Sequence, residues 1–143
     1  MSSKSARHRA REFALQGIYQ WQVGGQDEAA IEAHTMQVNG FDKADPELYR
    51  LLLRGTMNDS VALQEVIQQF VDRPWVELSP IERGVLLLGA FEFKHHIETP
   101  YRVVLNEAIE LAKEYGGTDG HKFVNGVLDK LAVALRPHEA KAR

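Results

Sequence analysis

Apolar and small residues recur early in the chain at Ala6, Ala10, Phe13, Ala14, Gly17, Ile18 and Trp21, a spacing of 4, 3, 1, 3, 1 and 3. That spacing is one stripe of an α-helix, and Gly24 with Gly25 predicts its end. A weaker helical pattern follows, with Ala30, Ile31, His34 and Val38 on one side and Asn39 and Gly40 as its stop. Asp45 then reads as an N-cap, with Pro46 in the first helical position and Glu47 at the positive end of the helix dipole. Leu48, Leu51, Leu52, Gly55, Leu63, Val66, Ile67 and Phe70 carry this segment towards residue 71. Asn58, Asp59 and Ser60 leave open whether it is one helix or two.

After a short loop around Arg73 and Pro74, Ser79, Pro80, Ile81 and Glu82 spell a capping box with proline at the first position. The helix it opens is apolar on nearly every side through Ile81, Val85, Leu86, Leu87, Leu88, Phe91 and Phe93, which predicts a central, buried helix. Thr99 and Pro100 open the next, with Tyr101, Val104, Leu105, Ala108, Ala112 and Tyr115 inward and Gly116 with Gly117 as a left-handed stop. Thr118 or Asp119 caps a last helix that buries Val124, Val127, Leu128, Leu131 and Leu135 and ends at Pro137. No stretch alternates with period two for long enough to be a strand. The prediction is an all-α fold of about six or seven helices with short loops, one domain over residues 1–143.

Composition narrows the function classes. The chain of 143 residues has no cysteine, which removes disulfides, thiolate zinc sites and a cysteine nucleophile and fits a reducing compartment. Its longest apolar run, Val85 to Phe91, is seven residues, far short of the roughly 20 that span a bilayer, and the start of the chain has no signal-peptide core. A cytoplasmic protein is expected. The net charge of −3 hides an asymmetry: residues 1–11 carry Lys4, Arg7, Arg9 and Arg11 with no acid, so the arm is +4 and the rest of the chain −7. A basic arm on an acidic body suits a polyanion such as nucleic acid, although a solvated tail has the same composition.

Catalytic motifs fail. Glu92 and His95 have a metal-ligand spacing on a helix, but a di-iron site needs a second such pair and two further glutamates, and His95 with His96 also suits a helix carboxyl end. Gly116, Gly117, Gly120 and Lys122 resemble a phosphate loop only faintly, since His121 separates glycine from lysine and a helix precedes them. No enzyme, metal or cofactor is expected. What remains is a binding constellation. Arg7 and Arg11 share a face of the first helix, flanked by His8 and Arg9, at the dipole end where cations are disfavoured. A local rule broken without internal compensation points to a phosphate backbone outside. Tyr19 lies off the centre of the apolar stripe. Phe123 lies at the margin of the last helix's stripe beside Lys122 and Asn125, the composition of a stacking platform for single-stranded bases.

The run Arg7-His8-Arg9-Ala10-Arg11-Glu12-Phe13-Ala14-Leu15-Gln16-Gly17-Ile18-Tyr19-Gln20-Trp21, together with Ile81-Glu82-Arg83, Asn106-Glu107-Ala108-Ile109-Glu110-Leu111-Ala112-Lys113 and His121-Lys122-Phe123-Val124-Asn125-Gly126-Val127-Leu128-Asp129, resembles the NusB family of bacterial transcription antitermination factors. The resemblance runs through nearly the whole chain and is weakest from residue 24 to 45. It implies two small helical bundles packed together that bind the single-stranded boxA element of ribosomal RNA leader transcripts. It also implies pairing with the small-subunit ribosomal protein NusE, alongside other Nus factors and RNA polymerase, to promote antitermination and ribosomal RNA synthesis. By position, the resemblance places Arg7, His8, Arg11, Tyr19, Asp119, Lys122 and Phe123 on the RNA surface and Glu82 towards the ribosomal partner. Family members often carry three basic residues where this chain has Arg7-His8-Arg9. A related fold serves as the RNA-binding domain of ribosomal RNA cytosine methyltransferases, for which 143 residues leave no room for a cofactor-binding sheet. A helical protein-interaction module with a basic tail is a further alternative.

Overall fold

The computed structural model describes residues 4–117 and 119–140, and among these are seven α-helices and no strand. They are α1 (Ala6–Gly24), α2 (Glu28–Thr35), α3 (Pro46–Asn58), α4 (Ser60–Gln68), α5 (Pro80–His95), α6 (Tyr101–Tyr115) and α7 (Gly120–Leu135), with 3-10 turns at Phe41–Lys43 and Trp75–Glu77. The segment left open after Pro46 is two helices, and the break at Asp59 is also a boundary: residues 1–58 and 59–143 form two compact units.

In the first unit, Ser5 starts α1 by accepting a hydrogen bond from the His8 amide (3.0 Å), and Gly25 ends it in the left-handed region at φ 68°. α1 packs against α2 and α3, burying Ala10, Ala14, Leu15 and Ile18 against Ile31, Leu48, Leu52 and Leu53. Gly17 permits the close approach, since a Cβ there would lie 2.9 Å from Leu53 and 3.0 Å from Ile31. The buried stripe is displaced from the predicted one: Leu15 is at its centre, while Phe13 and Trp21 are half-exposed. α2 stops at Thr35, short of the predicted Asn39. The Thr35 hydroxyl donates to the Ile31 carbonyl, and turns lead on to Gly40 at φ 96°. In α3 the buried residues are Leu48, Tyr49, Leu52, Leu53 and Thr56, so the expected Leu51 is replaced by its neighbours. Arg54 clasps Glu32 through two bonds of 2.7 and 2.8 Å. Those bonds outweigh burial and hold the Glu32 carboxyl below its ordinary range.

The second unit is built round α5, buried at every residue from Gly84 to Phe93 and in contact with α4, α6 and α7. Both halves of the predicted capping box form: Ser79 Oγ accepts from the Glu82 amide (3.1 Å), and Glu82 Oε1 accepts from the Ser79 amide (3.0 Å). At the opposite end, the buried Arg136 donates to the carbonyls of Glu92, Phe93, His96 and Thr99 at 2.7–3.0 Å. Burial of Asp59 opposes its ionisation, but hydrogen bonds from His95 and Lys94 prevail and hold its carboxyl below the usual value. Gly116 is not left-handed as predicted; it ends α6 in extended backbone at φ −94°, ψ −178°. Glycine is required there because a Cβ would lie 2.6 Å from the Ala112 carbonyl oxygen. Asp119 occupies the N-cap position of α7 without a side-chain capping bond, and the alternative cap, Thr118, lies outside the described residues.

Removing the Arg136 side chain orphans several buried carbonyls, each costing about 1–3 kcal/mol when unsatisfied and partly relieved by water. Arg136→Ala is therefore expected to lower stability by about 3 kcal/mol or more in urea unfolding, against less than about 0.5 kcal/mol for the exposed Val133→Ala.

Candidate nucleic-acid interface

The cations at the start of α1 divide by depth. Arg7 is exposed, and its guanidinium lies 3.8 Å from Asp45. His8 lies 3.7 Å from Glu12, and Lys4 is bonded to the same carboxylate. The expectation of cations without internal compensation is thus corrected: carboxylates of the same unit face them. Arg11 also departs from the exposed position expected of it, being only 3 % exposed and engaged in interactions of its own. The cause is helical register, since Arg11 lies four and seven residues before Leu15 and Ile18, both buried. Tyr19, 41 % exposed, stands off the buried stripe as expected.

The second group gathers on the first turns of α7. Lys122 is 74 % exposed on its side chain, with Asp119 at 3.5 Å. Phe123 is half-buried at the margin of the stripe whose centre is Val124, Val127 and Leu128. Its ring is not bare: the Arg73 guanidinium stands 4.4 Å from the centroid, the distance of a stacked cation–π contact. The loop carrying Arg73 is fixed in turn by a 2.9 Å bond from the Gln68 amide to the Arg73 carbonyl. Between this loop and α7 lies a groove of about 250 Å³ bordered by Phe70, Arg73, Lys122, Phe123, Gly126 and Lys130. Sequence reading missed Arg73 and Lys130. The first sits in a loop 50 positions from Phe123, beyond any local periodicity, and the second reads only as a solvated lysine.

Glu82 is half-buried and committed to the capping box through Oε1, while its other oxygen turns towards Gly120, 3.6 Å from where a Cβ would sit. It therefore borders the start of α7, the helix whose first turn carries Lys122. The metal-like pair Glu92 and His95 does not converge: His95 binds Asp59 at 2.8 Å, and Glu92 is buried 3.6 Å from His96.

A protein-family model described as the NusB family matches residues 8–133. The chain is 62 % identical over 142 residues to a transcription antitermination protein NusB of Aromatoleum aromaticum, covering 99 % of this chain and 98 % of that one. It is 51 % identical over 145 residues to the protein of the same name from Bordetella pertussis, covering 99 % and 94 %. Among solved structures it is similar to NusB of T. maritima, with a TM-score of 0.84 and 27 % identity over 96 % of this chain and 98 % of that one. A chain from a complex of antitermination factors NusB and NusE with dsRNA has the same fold, at 22 % identity and TM-score 0.77, over 89 % and 96 % of the two chains.

Because Phe123 stands half-buried at the margin of the stripe, truncating it disturbs the core less than truncating a residue at the centre of the stripe. Phe123→Ala is expected to lower the melting temperature less than Val124→Ala, whose side chain is fully buried; thermal unfolding followed by circular dichroism checks the order.

Proposed function

The chain belongs to the NusB family, and we propose on that premise that it is an RNA-binding transcription antitermination factor acting by binding rather than catalysis. In this reading it pairs with the ribosomal protein NusE and engages the boxA element of ribosomal RNA leader transcripts. It joins other Nus factors on RNA polymerase, in the cytoplasm where transcription runs, and promotes ribosomal RNA synthesis. The name carried by its curated relatives supports the antitermination role. All 143 residues serve as one RNA-binding domain, and among the described residues no helix is long and apolar enough to cross a membrane.

The observation that carries the RNA reading is the turn at Lys122 and Phe123, an exposed cation beside an aromatic ring on the edge of a groove. Bases stack on such rings while cations follow the phosphates. Arg7, His8 and Tyr19 are the corresponding contacts on the first unit, and Asp119 offers a carboxylate to a base edge or sugar hydroxyl. Arg11, being buried, serves as a positioning residue behind Arg7 and His8. Glu82 faces NusE with the carboxylate oxygen that the capping box leaves over.

Titration of a labelled single-stranded RNA bearing the boxA element, and of a duplex of the same sequence, over a range of salt concentrations tests this. Arg7→Ala and Lys122→Ala are each expected to weaken single-strand binding and to reduce the log–log salt slope by about 0.7, with stability unchanged. Glu82→Gln retains an acceptor for the Ser79 amide and is expected to lower affinity for NusE without lowering the melting temperature. Salt-independent RNA binding, or none, would overturn the reading.

A further inference from the structure

Lys122, Gly126 and Lys130 lie at positions i, i+4 and i+8 of α7 and form one row on its outer face, about 12 Å from end to end. All three border the groove, as do Arg73 and Phe123. The middle member is unusual. A glycine inside a helix costs about 1 kcal/mol relative to alanine and is normally retained for a packing reason, as at Gly17, where a Cβ would strike Leu53. At Gly126 a Cβ would meet nothing within 4 Å, and φ is not positive. Neither packing nor backbone conformation calls for glycine there. Bare backbone between two lysines instead suits close approach by a ligand.

Charge says which ligand. Three cations edge the groove, and the acid bordering it, Asp72, is 89 % exposed on its side chain and 3.6 Å from Arg73. An anion is favoured over a cation, and the aromatic walls at Phe70 and Phe123 add a surface for planar groups. Nucleic acid supplies both features in one repeating unit.

We propose that this groove is a nucleotide subsite for single-stranded RNA, in which Gly126 keeps the α7 backbone bare so that the strand can lie against it. Arg73 and Lys130 hold its phosphates. Arg73 also acts on the ring: stacked on one face of Phe123, it fixes the ring's orientation and leaves the remaining surface to a base. The proposal rests on the RNA-binding reading above and adds to it the residues Arg73, Gly126 and Lys130.

Gly126→Leu provides the test, since a leucine fills the groove from a position where it meets no neighbour and improves helix propensity. The full chain carrying it is expected to melt at the same or higher temperature yet to bind a labelled single-stranded RNA of about 12 nucleotides roughly tenfold more weakly, as for loss of a stacked base. Lys130→Gln is expected to reduce the log–log salt slope by about 0.7, and Arg73→Ala to weaken binding more than Arg73→Lys does. If the wild type binds RNA and Lys122→Ala weakens it, but Gly126→Leu, Lys130→Gln and Arg73→Ala all bind as the wild type does, the groove proposal is overturned while the RNA-binding reading stands. If the wild type itself binds no RNA, the failure lies with that reading.

Discussion

A helix that ends inside the protein must have its last carbonyls satisfied by other protein groups, because there they cannot reach water. α5, buried from Gly84 to Phe93, imposes that condition on the second unit. The start, which lies at the surface, is capped locally by the reciprocal bonds of Ser79 and Glu82. The finish is closed from a distance, by the Arg136 guanidinium reaching back from just beyond α7 to carbonyls at the end of α5 and in the turn towards α6. Arginine suits this role because its planar fork offers five donors and never loses its charge. A lysine could satisfy three acceptors at most. Glu139 neutralises the buried cation at 2.6 Å and also accepts from the Tyr101 amide, so the start of α6 joins the same arrangement.

This closure positions the surface proposed to bind RNA. α7 is tied at its far end by Arg136 and packed along its length on α5 and α6, which leaves the row at Lys122, Gly126 and Lys130 facing the groove. At the near end the Glu82 carboxylate is divided, one oxygen closing α5 and the other bordering Gly120. A partner that engages Glu82 therefore engages a residue already held in place, at little conformational cost.

The sequence disclosed those features whose causes lie within one or two turns. The Ser79–Glu82 box, the proline starts at Pro46 and Pro80, the left-handed Gly25 and the inward stripe of α7 all follow from local spacing. Register errors arose where small or aromatic residues blurred the stripe, as at Leu51 against Tyr49 and at Phe13 against Leu15. Gly116 shows that the right residue can be predicted for the wrong reason: glycine is needed, but for a 2.6 Å approach to a carbonyl and not for a positive φ. Arg136 and Arg73 were illegible because their meaning lies in partners some 37 to 50 positions away. A pattern tells which face a residue occupies; it does not tell what arrives to cover it.

Two kinds of ion pair stand out among the described residues, and the distinction bears on which cations are available to a phosphate. Arg54–Glu32, Lys94–Asp59 and Arg136–Glu139 are short, at 2.6–2.9 Å, and each ties one element to another or closes a helix end. Arg7–Asp45, Arg73–Asp72 and Lys122–Asp119 are loose, at 3.5–3.8 Å, with both partners partly or largely exposed. Exposed pairs of that kind contribute from nothing to about 1 kcal/mol, so exchanging the carboxylate for an RNA phosphate forfeits little. The nearby acids also restrain the cations when no RNA is bound, limiting attraction to polyanions in general. Arg7, Arg73 and Lys122, the exposed cations proposed for the RNA surface, all belong to the loose kind, whereas the short pairs hold the frame that presents them.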